Sequence, residues 1–281
     1  MKLGTTKHSL LIISRLVTAS ILSPLTIAIA VTPSIAATLS SSGAAVVINN
    51  FSHNPLDVLT LTDTTAITNA TSGQVTAAAD AVATFTTIPT SASNLSFSTT
   101  SGDGSNYFGF AQSTAAVIGY NFSVGEQDTF SFDFQAAFAL NTSITDPSFE
   151  TASATGNLSF QLYDTTNSSS WQLLDYFTLS ANLATPGNVD FLRSDQSNSI
   201  SFNSGTEFNT DFGGTQEFAN AFIDAQFSRT FDKATNLTLV EVKTNRATVQ
   251  APEPSSVLGL LCLGLAGLGY KVKRKLHKSA D

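Results

Sequence analysis

The side chains able to do chemistry are few. Between residues 37 and 250 the chain has one histidine, His53, and no cysteine; its single cysteine, Cys262, lies in an apolar run near the C-terminus. A Ser–His–Asp triad would have to use His53, a cysteine nucleophile is excluded in that region, and no Gly-x-Ser-x-Gly sequence occurs. Beside Asn54-Pro55, His53 reads as a turn residue. With no second histidine and no cysteine, the common zinc sites cannot be built. No glycine-rich phosphate loop is present either, so neither metal nor cofactor is expected. Glu126, Asp128, Glu150, Glu207, Glu217 and Asp224 are available as paired carboxylates for glycoside hydrolysis, but each reads as part of a solvated strand face or turn. Asp103, between Gly102 and Gly104, offers the hard oxygen that calcium takes. The acidic spacing of an EF-hand is missing, which favours a plain turn. Trp171, Tyr163 and Tyr176 present flat rings of the kind on which apolar sugar faces stack. Trp171 follows the loop Asn167-Ser168-Ser169-Ser170 and opens a strand there, so these three are the candidate glycan contacts.

The elements that must position these groups are strands. From Thr129 to Leu140, Phe130, Phe132, Phe134, Ala136, Phe138 and Leu140 alternate with small or polar residues. A period of two puts the aromatic set on one face of a strand, whereas a helix would scatter it. Shorter alternations recur at Val46 and Ile48, at Leu56, Val58 and Leu61, and at Leu95 and Phe97. Others are at Leu158, Phe160 and Leu162, at Trp171, Leu173 and Phe177, and at Val189 and Phe191. Ile200 with Phe202, and Leu237 with Leu239 and Val242, complete the series. Turn signals separate them, as at Gly102-Asp103-Gly104, Pro186-Gly187-Asn188 and Gly213-Gly214. Many short strands at such spacing predict an all-β fold, a β-sandwich of jelly-roll-like type. Gly73–Phe85 dissents. It is alanine-rich, with Val75, Ala78, Ala79 and Val82 at helical spacing, and reads as a short helix or a loop. The polar stretch Thr62–Ser72 reads as a long loop.

Charge divides the chain. Of its 21 acidic residues all but Asp281 lie between 37 and 254, where only Arg193, Arg229, Lys233, Lys243 and Arg246 are basic. So acidic a region does not bind nucleic acid through phosphate contacts. Without cysteine it uses no disulfide, and roughly 210 residues suffice for one domain with its own core. Serine and threonine, roughly a quarter of the chain, suit exposed strand faces. Sequons such as Asn94-Leu95-Ser96 are products of that composition.

The two ends describe a destination. Lys2, Lys7 and Arg15, the apolar run Leu16–Val31 and the small residues of Ser34-Ile35-Ala36 form a secretory signal peptide over residues 1–36, cut after Ala36 by signal peptidase. At the other end, Pro252-Glu253-Pro254 precedes an uncharged stretch, Ser255–Tyr270, and a basic tail carrying Lys271, Lys273, Arg274 and Lys275. As a helix, Ser255 to Val272 spans roughly 27 Å, near the thickness of a bilayer core with snorkelling lysines at its end. The basic tail holds that end in the cytoplasm. Two prolines keep Glu253 in extended backbone, the form that proteases read.

In this order and position, Pro252, Glu253 and Pro254, the span and the basic tail resemble the PEP-CTERM sorting class of secreted bacterial proteins. The resemblance covers roughly the last 30 residues. It implies recognition by an exosortase, a membrane-embedded protease-transpeptidase. It also implies an inner-membrane precursor, and delivery to the cell surface or exopolysaccharide layer of a Gram-negative-type or cyanobacterial cell. The expected organisation is therefore a signal peptide (1–36), a β ectodomain (37–250) and a sorting signal (251–281) with a transmembrane helix at 255–270. The expected role is structural or adhesive and non-enzymatic, with a carbohydrate-binding module or a secreted glycosidase as alternatives.

Overall fold

Period-two patterning produces strands throughout the computed structural model, which describes residues 38–252. The signal peptide, Glu253, Pro254, the apolar span and the basic residues Lys271, Lys273, Arg274 and Lys275 lie outside the described residues. The strands are β1 (Thr38–Asn49), β2 (Asp57–Thr87), β3 (Thr90–Val124), β4 (Thr129–Ile144), β5 (Thr151–Asp164) and β6 (Gln172–Thr185). They continue with β7 (Phe191–Gln196), β8 (Ile200–Phe202), β9 (Glu207–Asp211), β10 (Gln216–Thr230) and β11 (Thr235–Ala251). They make up 78 % of the described residues, none of which is helical. All pair in one antiparallel, nearly closed, barrel-like sheet in the order β7-β6-β5-β11-β3-β1-β4-β10-β8, with β2 on β3 and β9 on β10.

The sheet curls back over itself where β3 bends. Its even-numbered residues point inward from Ala92 to Gly102 and its odd-numbered ones from Tyr107 to Gly119. The first half pairs with β1 and the second with β11. The bend falls at Gly102–Asn106, where Gly104 (φ +87°) and Asn106 (φ +54°) are left-handed, the region that glycine enters without steric cost. Ser98 and Ser113, both on β3, consequently meet across the interior, hydroxyl to hydroxyl at 3.0 Å.

β2 follows β3 through this bend in one unbroken register, Asp57 opposite Tyr120 and Thr87 opposite Thr90. The segments expected as a loop (Thr62–Ser72) and as a helix or loop (Gly73–Phe85) are thus both strand. From Leu59 to Ser72 this edge strand is exposed on both faces, so no burial pattern marks it. From Gly73 onward the odd-numbered residues turn inward up to Phe85. Alanine fits either structure, and the helical spacing of Val75, Ala78, Ala79 and Val82 gives way to tertiary pairing with β3. Leu56 and Val189 fall just outside strands and are exposed.

The interior has two parts. One is aromatic: Phe132 stacks on Phe227 at 4.9 Å, Phe134 meets Phe160 edge-on at 4.7 Å, and Phe160 stacks on Phe177 at 5.2 Å. Such pairs add to the hydrophobic gain of burying the rings. The other part is a polar seam. Ser42 Oγ donates to Asn245 Oδ1 (2.7 Å), Ser98 Oγ donates to the Asn245 carbonyl (3.0 Å), and Asn94, Ser96, Glu241 and Lys243 are buried beside them. In β3 the polar residues Asn94, Ser96 and Ser98 face in, while Leu95 and Phe97 face out and are half-buried.

Candidate functional site

Both ends of the described domain lie at one pole. Thr38, the first residue of β1, pairs with Gly102 and Ile144; Ala251, the last of β11, pairs with Tyr107. Tyr107 Oη donates to Thr38 Oγ1, joining the two ends directly. Burial of the phenol, offset in part by that bond, raises its pKa. Tyr107, Ile144, Ala152, Val249 and Ala251 form a small apolar cluster here. Ala251 is buried and Pro252 exposed, so the chain leaves the core within one residue. Beside this exit a cleft of about 240 Å³ is lined by Phe149, Glu150, Gln250 and Pro252. Glu150, itself buried, fixes its wall by accepting the N–H groups of Thr145 (2.7 Å) and Asp146 (2.9 Å).

The family of the PEP-CTERM protein-sorting motif matches residues 250–275. The chain carries a PEP-CTERM sorting motif. No curated protein and no solved structure matches it. The motif implies export, processing by an exosortase and cell-surface sorting. Of the tripeptide, Pro252 is described, and the match opens inside β11, at Gln250. No spacer separates the folded domain from its sorting motif.

The aromatic candidates are partly assembled. The Tyr163 and Trp171 rings lie 5.9 Å apart, tilted by 51°, and Trp171 is 49 % exposed. Trp171 stands in the loop immediately before β6. Tyr163 Oη donates to Gln161 Oε1 (2.7 Å), and Gln161 is the cross-strand partner of Tyr176. Tyr176 Oη in turn donates to Asp195 Oδ2 (3.0 Å), and this bond, with the aspartate's charge, raises its pKa. The result is a row on the outer face of β5, β6 and β7, with two rings in contact and the third one strand away.

The other chemical candidates serve the backbone. His53 Nε2 lies 3.0 Å from Asp128 Oδ2 and its Nδ1 2.9 Å from Ser52 Oγ, which brings a serine, a histidine and an aspartate together. Ser52 Oγ is already committed: it accepts the Ser131 N–H (2.9 Å) and donates to the Thr129 carbonyl (3.1 Å). The arrangement clasps the loop after β1 onto β4. Glu217 is buried and accepts from Thr185 Oγ1, from Thr142 Oγ1 (3.4 Å) and from the Gly213 N–H (2.8 Å). Asp224 accepts from Asn203 Nδ2 at 3.0 Å. Glu126, Glu207 and Asp103 are exposed. Among the described residues no three acidic, histidine or cysteine side chains cluster as a metal site would require.

One group was not expected from the sequence: Asn94, Glu241 and Lys243. They are buried together in the polar seam, with the glutamate bonded to both of the others. The signal that reveals them is parity, since stepping by two from Leu237 and Leu239 reaches Glu241 and Lys243, whereas Val242 lies on the opposite, outer face.

Proposed function

We propose that this protein is a non-enzymatic structural or adhesive component of the cell surface or extracellular matrix. In this reading the precursor is held in the inner membrane by residues 255–270 until exosortase transfers it. The observation that carries the reading is the direct continuity of β11 with the sorting motif: what is delivered to the surface is this β domain itself, held at one pole. Its fold is read as a two-layer β-sandwich. Support comes from β1 side chains that reach across the interior to the opposite strands, Ser42 Oγ to the Thr155 carbonyl of β5 (2.8 Å) and to Asn245 of β11. The hydroxyl-rich, acidic exterior suits a hydrated polymer layer.

The test is deletion of the gene in a host that has its exosortase, with adhesion and matrix cohesion measured beside whole-cell protease accessibility of the wild-type protein. The reading expects a protease-accessible protein and weaker cohesion on deletion. An accessible protein whose loss leaves adhesion and matrix unchanged would overturn the role while keeping the sorting.

The Tyr163–Trp171 contact favours a second reading, a glycan-binding face for exopolysaccharide. Affinity electrophoresis in polysaccharide gels separates the two. Retardation that Trp171→Ala abolishes supports glycan binding, and unretarded wild-type protein removes it.

A further inference from the structure

Lys243 and Glu241 sit two residues apart on the inward face of β11, and Asn94 faces them from β3. Their exposures are 0 %, 0 % and 2 %. Lys243 Nζ donates to Glu241 Oε1 at 2.8 Å, and Asn94 Nδ2 donates to the other oxygen, Oε2. One carboxyl group therefore holds an amine and a carboxamide side by side. The pairing neighbours are apolar: Val117 and Phe160 for Glu241, Ala115 and Leu158 for Lys243, Val46 and Ala83 for Asn94. Asn94 Oδ1 has no hydrogen-bond partner among the described residues.

A charged pair at this place would be dry. Burial is the largest influence on both groups, pushing the Lys243 amine down and the Glu241 carboxyl up, against their mutual attraction. Both shifts run toward one state, a neutral amine beside a carboxylic acid. A neutral lysine is a nucleophile. A protonated carboxyl is the acid that polarises a carbonyl.

We propose that Lys243 and Asn94 join in an intramolecular isopeptide bond, with Glu241 carrying the protons. The carboxamide turns about its Cβ–Cγ bond so that the unpartnered Oδ1 meets the Glu241 O–H. The Nζ lone pair adds to Cγ, and Oδ1 takes the carboxyl proton as its π bond opens. The carboxylate then takes a proton from Nζ and passes it to Nδ2. The Cγ–Nδ2 bond breaks, ammonia leaves, and the Oδ1 proton returns to Glu241 as the carbonyl re-forms. Amine plus carboxamide gives substituted amide plus ammonia. Nothing is oxidised, no co-reactant is needed, and the glutamate is regenerated. Fixed neighbours in a water-free interior supply the high effective concentration that such an aminolysis requires. The bond ties β3 to β11 in a domain that has no cysteine for a disulfide, and it does not depend on the surface role proposed above.

Mass spectrometry of the full chain, denatured and then digested with trypsin, tests this. The expected result is an intact mass about 17 Da below that of the sequence, one ammonia, with a branched peptide linking the Asn94 and Lys243 segments. Glu241→Gln should keep the fold, followed by protease resistance, and show the full mass with no branched peptide. Asn94→Ala should also abolish the link. Folded wild-type protein of full mass without the branched peptide overturns the proposal. So does a loss of about 17 Da with no branched peptide, because succinimide formation at an asparagine gives the same change. A link that persists in Glu241→Gln overturns the part assigned to the glutamate.

Discussion

Arg229 on β10 reaches Asp175 on β6, Nη1 to Oδ2 at 2.7 Å, and also donates to the Leu174 carbonyl at 3.2 Å. Asp175 is nearly buried, whereas Arg229 keeps about a third of its side chain in water (side-chain exposures 5 % and 36 %). Removing the arginine strands a buried carboxylate. Arg229→Met should therefore destabilise the domain by about 1–3 kcal/mol. Adding Asp175→Asn should restore part of that loss. Urea titrations of the two single variants and the double variant check this; a loss in the double variant equal to the sum of the two single losses would show that the pair is not coupled.

The aromatic interior predicts an alternating cost along β4. Phe132 and Phe134 are each 1 % exposed, while Ser131 and Gln135 face outward. Phe132→Ala or Phe134→Ala should cost ~3–5 kcal/mol, a large share of a single domain's stability. Ser131→Ala should cost much less; its backbone, not its hydroxyl, meets Ser52. Thermal melts that reversed this order would contradict the register.

Acid should loosen the clasp at the opposite pole. The Thr129 N–H, first, and the His53 ring, second, hold Asp128 below its ordinary value of 3.8. A carboxylate lowered on folding stabilises above its unfolded value and loses that contribution as pH falls through the folded one. Asp128→Asn should thus lower the melting temperature slightly at neutral pH, and the gap to wild type should close below pH 3.8. A gap that stayed constant down to the acid transition would remove Asp128 from the account.

The sorting motif predicts separable defects. Glu253→Gln removes its one charge; Pro254→Ala removes a proline, which disfavours helix at and before its position. Both should leave export intact and block processing. The precursor should then accumulate in the inner membrane with a C-terminal tag still attached, cytoplasmic at Asp281. Immunoblots of cell fractions check this. Wild-type protein that kept its tag quantitatively in an exosortase-bearing host would make Pro252-Glu253-Pro254 a linker and residues 255–270 a permanent anchor.

Legibility in the sequence followed contrast between the two faces of a strand. Phe130 to Leu140 reads clearly because one face is aromatic and the other is not. Gly73–Phe85 reads poorly because its alanines contrast with nothing, and Leu59–Ser72 because neither face is buried. Where the interior itself is polar the rule inverts: Asn94, Ser96 and Ser98 point in past Leu95 and Phe97, and Glu241 and Lys243 continue the face of Leu237 and Leu239. Hydropathy hides such residues, and strict parity recovers them. The meeting of Tyr163 with Trp171 was legible only as residue type, since it joins the end of β5 to the loop before β6. The sorting motif was legible without any fold, because residue types and order alone carry the match over residues 250–275.

The path by which β11 leaves the domain also sets how the molecule bears load. β11 lies between β3 and β5, antiparallel to both, and its ladders run from Leu237 to Gln250 on the two sides. Tension applied through residue 252 therefore pulls along the strand's own axis. The force falls on both ladders at once, as shear, rather than peeling hydrogen bonds one after another as it would from an edge such as β7. A domain pulled from residue 252 therefore resists extraction of β11 collectively, rung for rung.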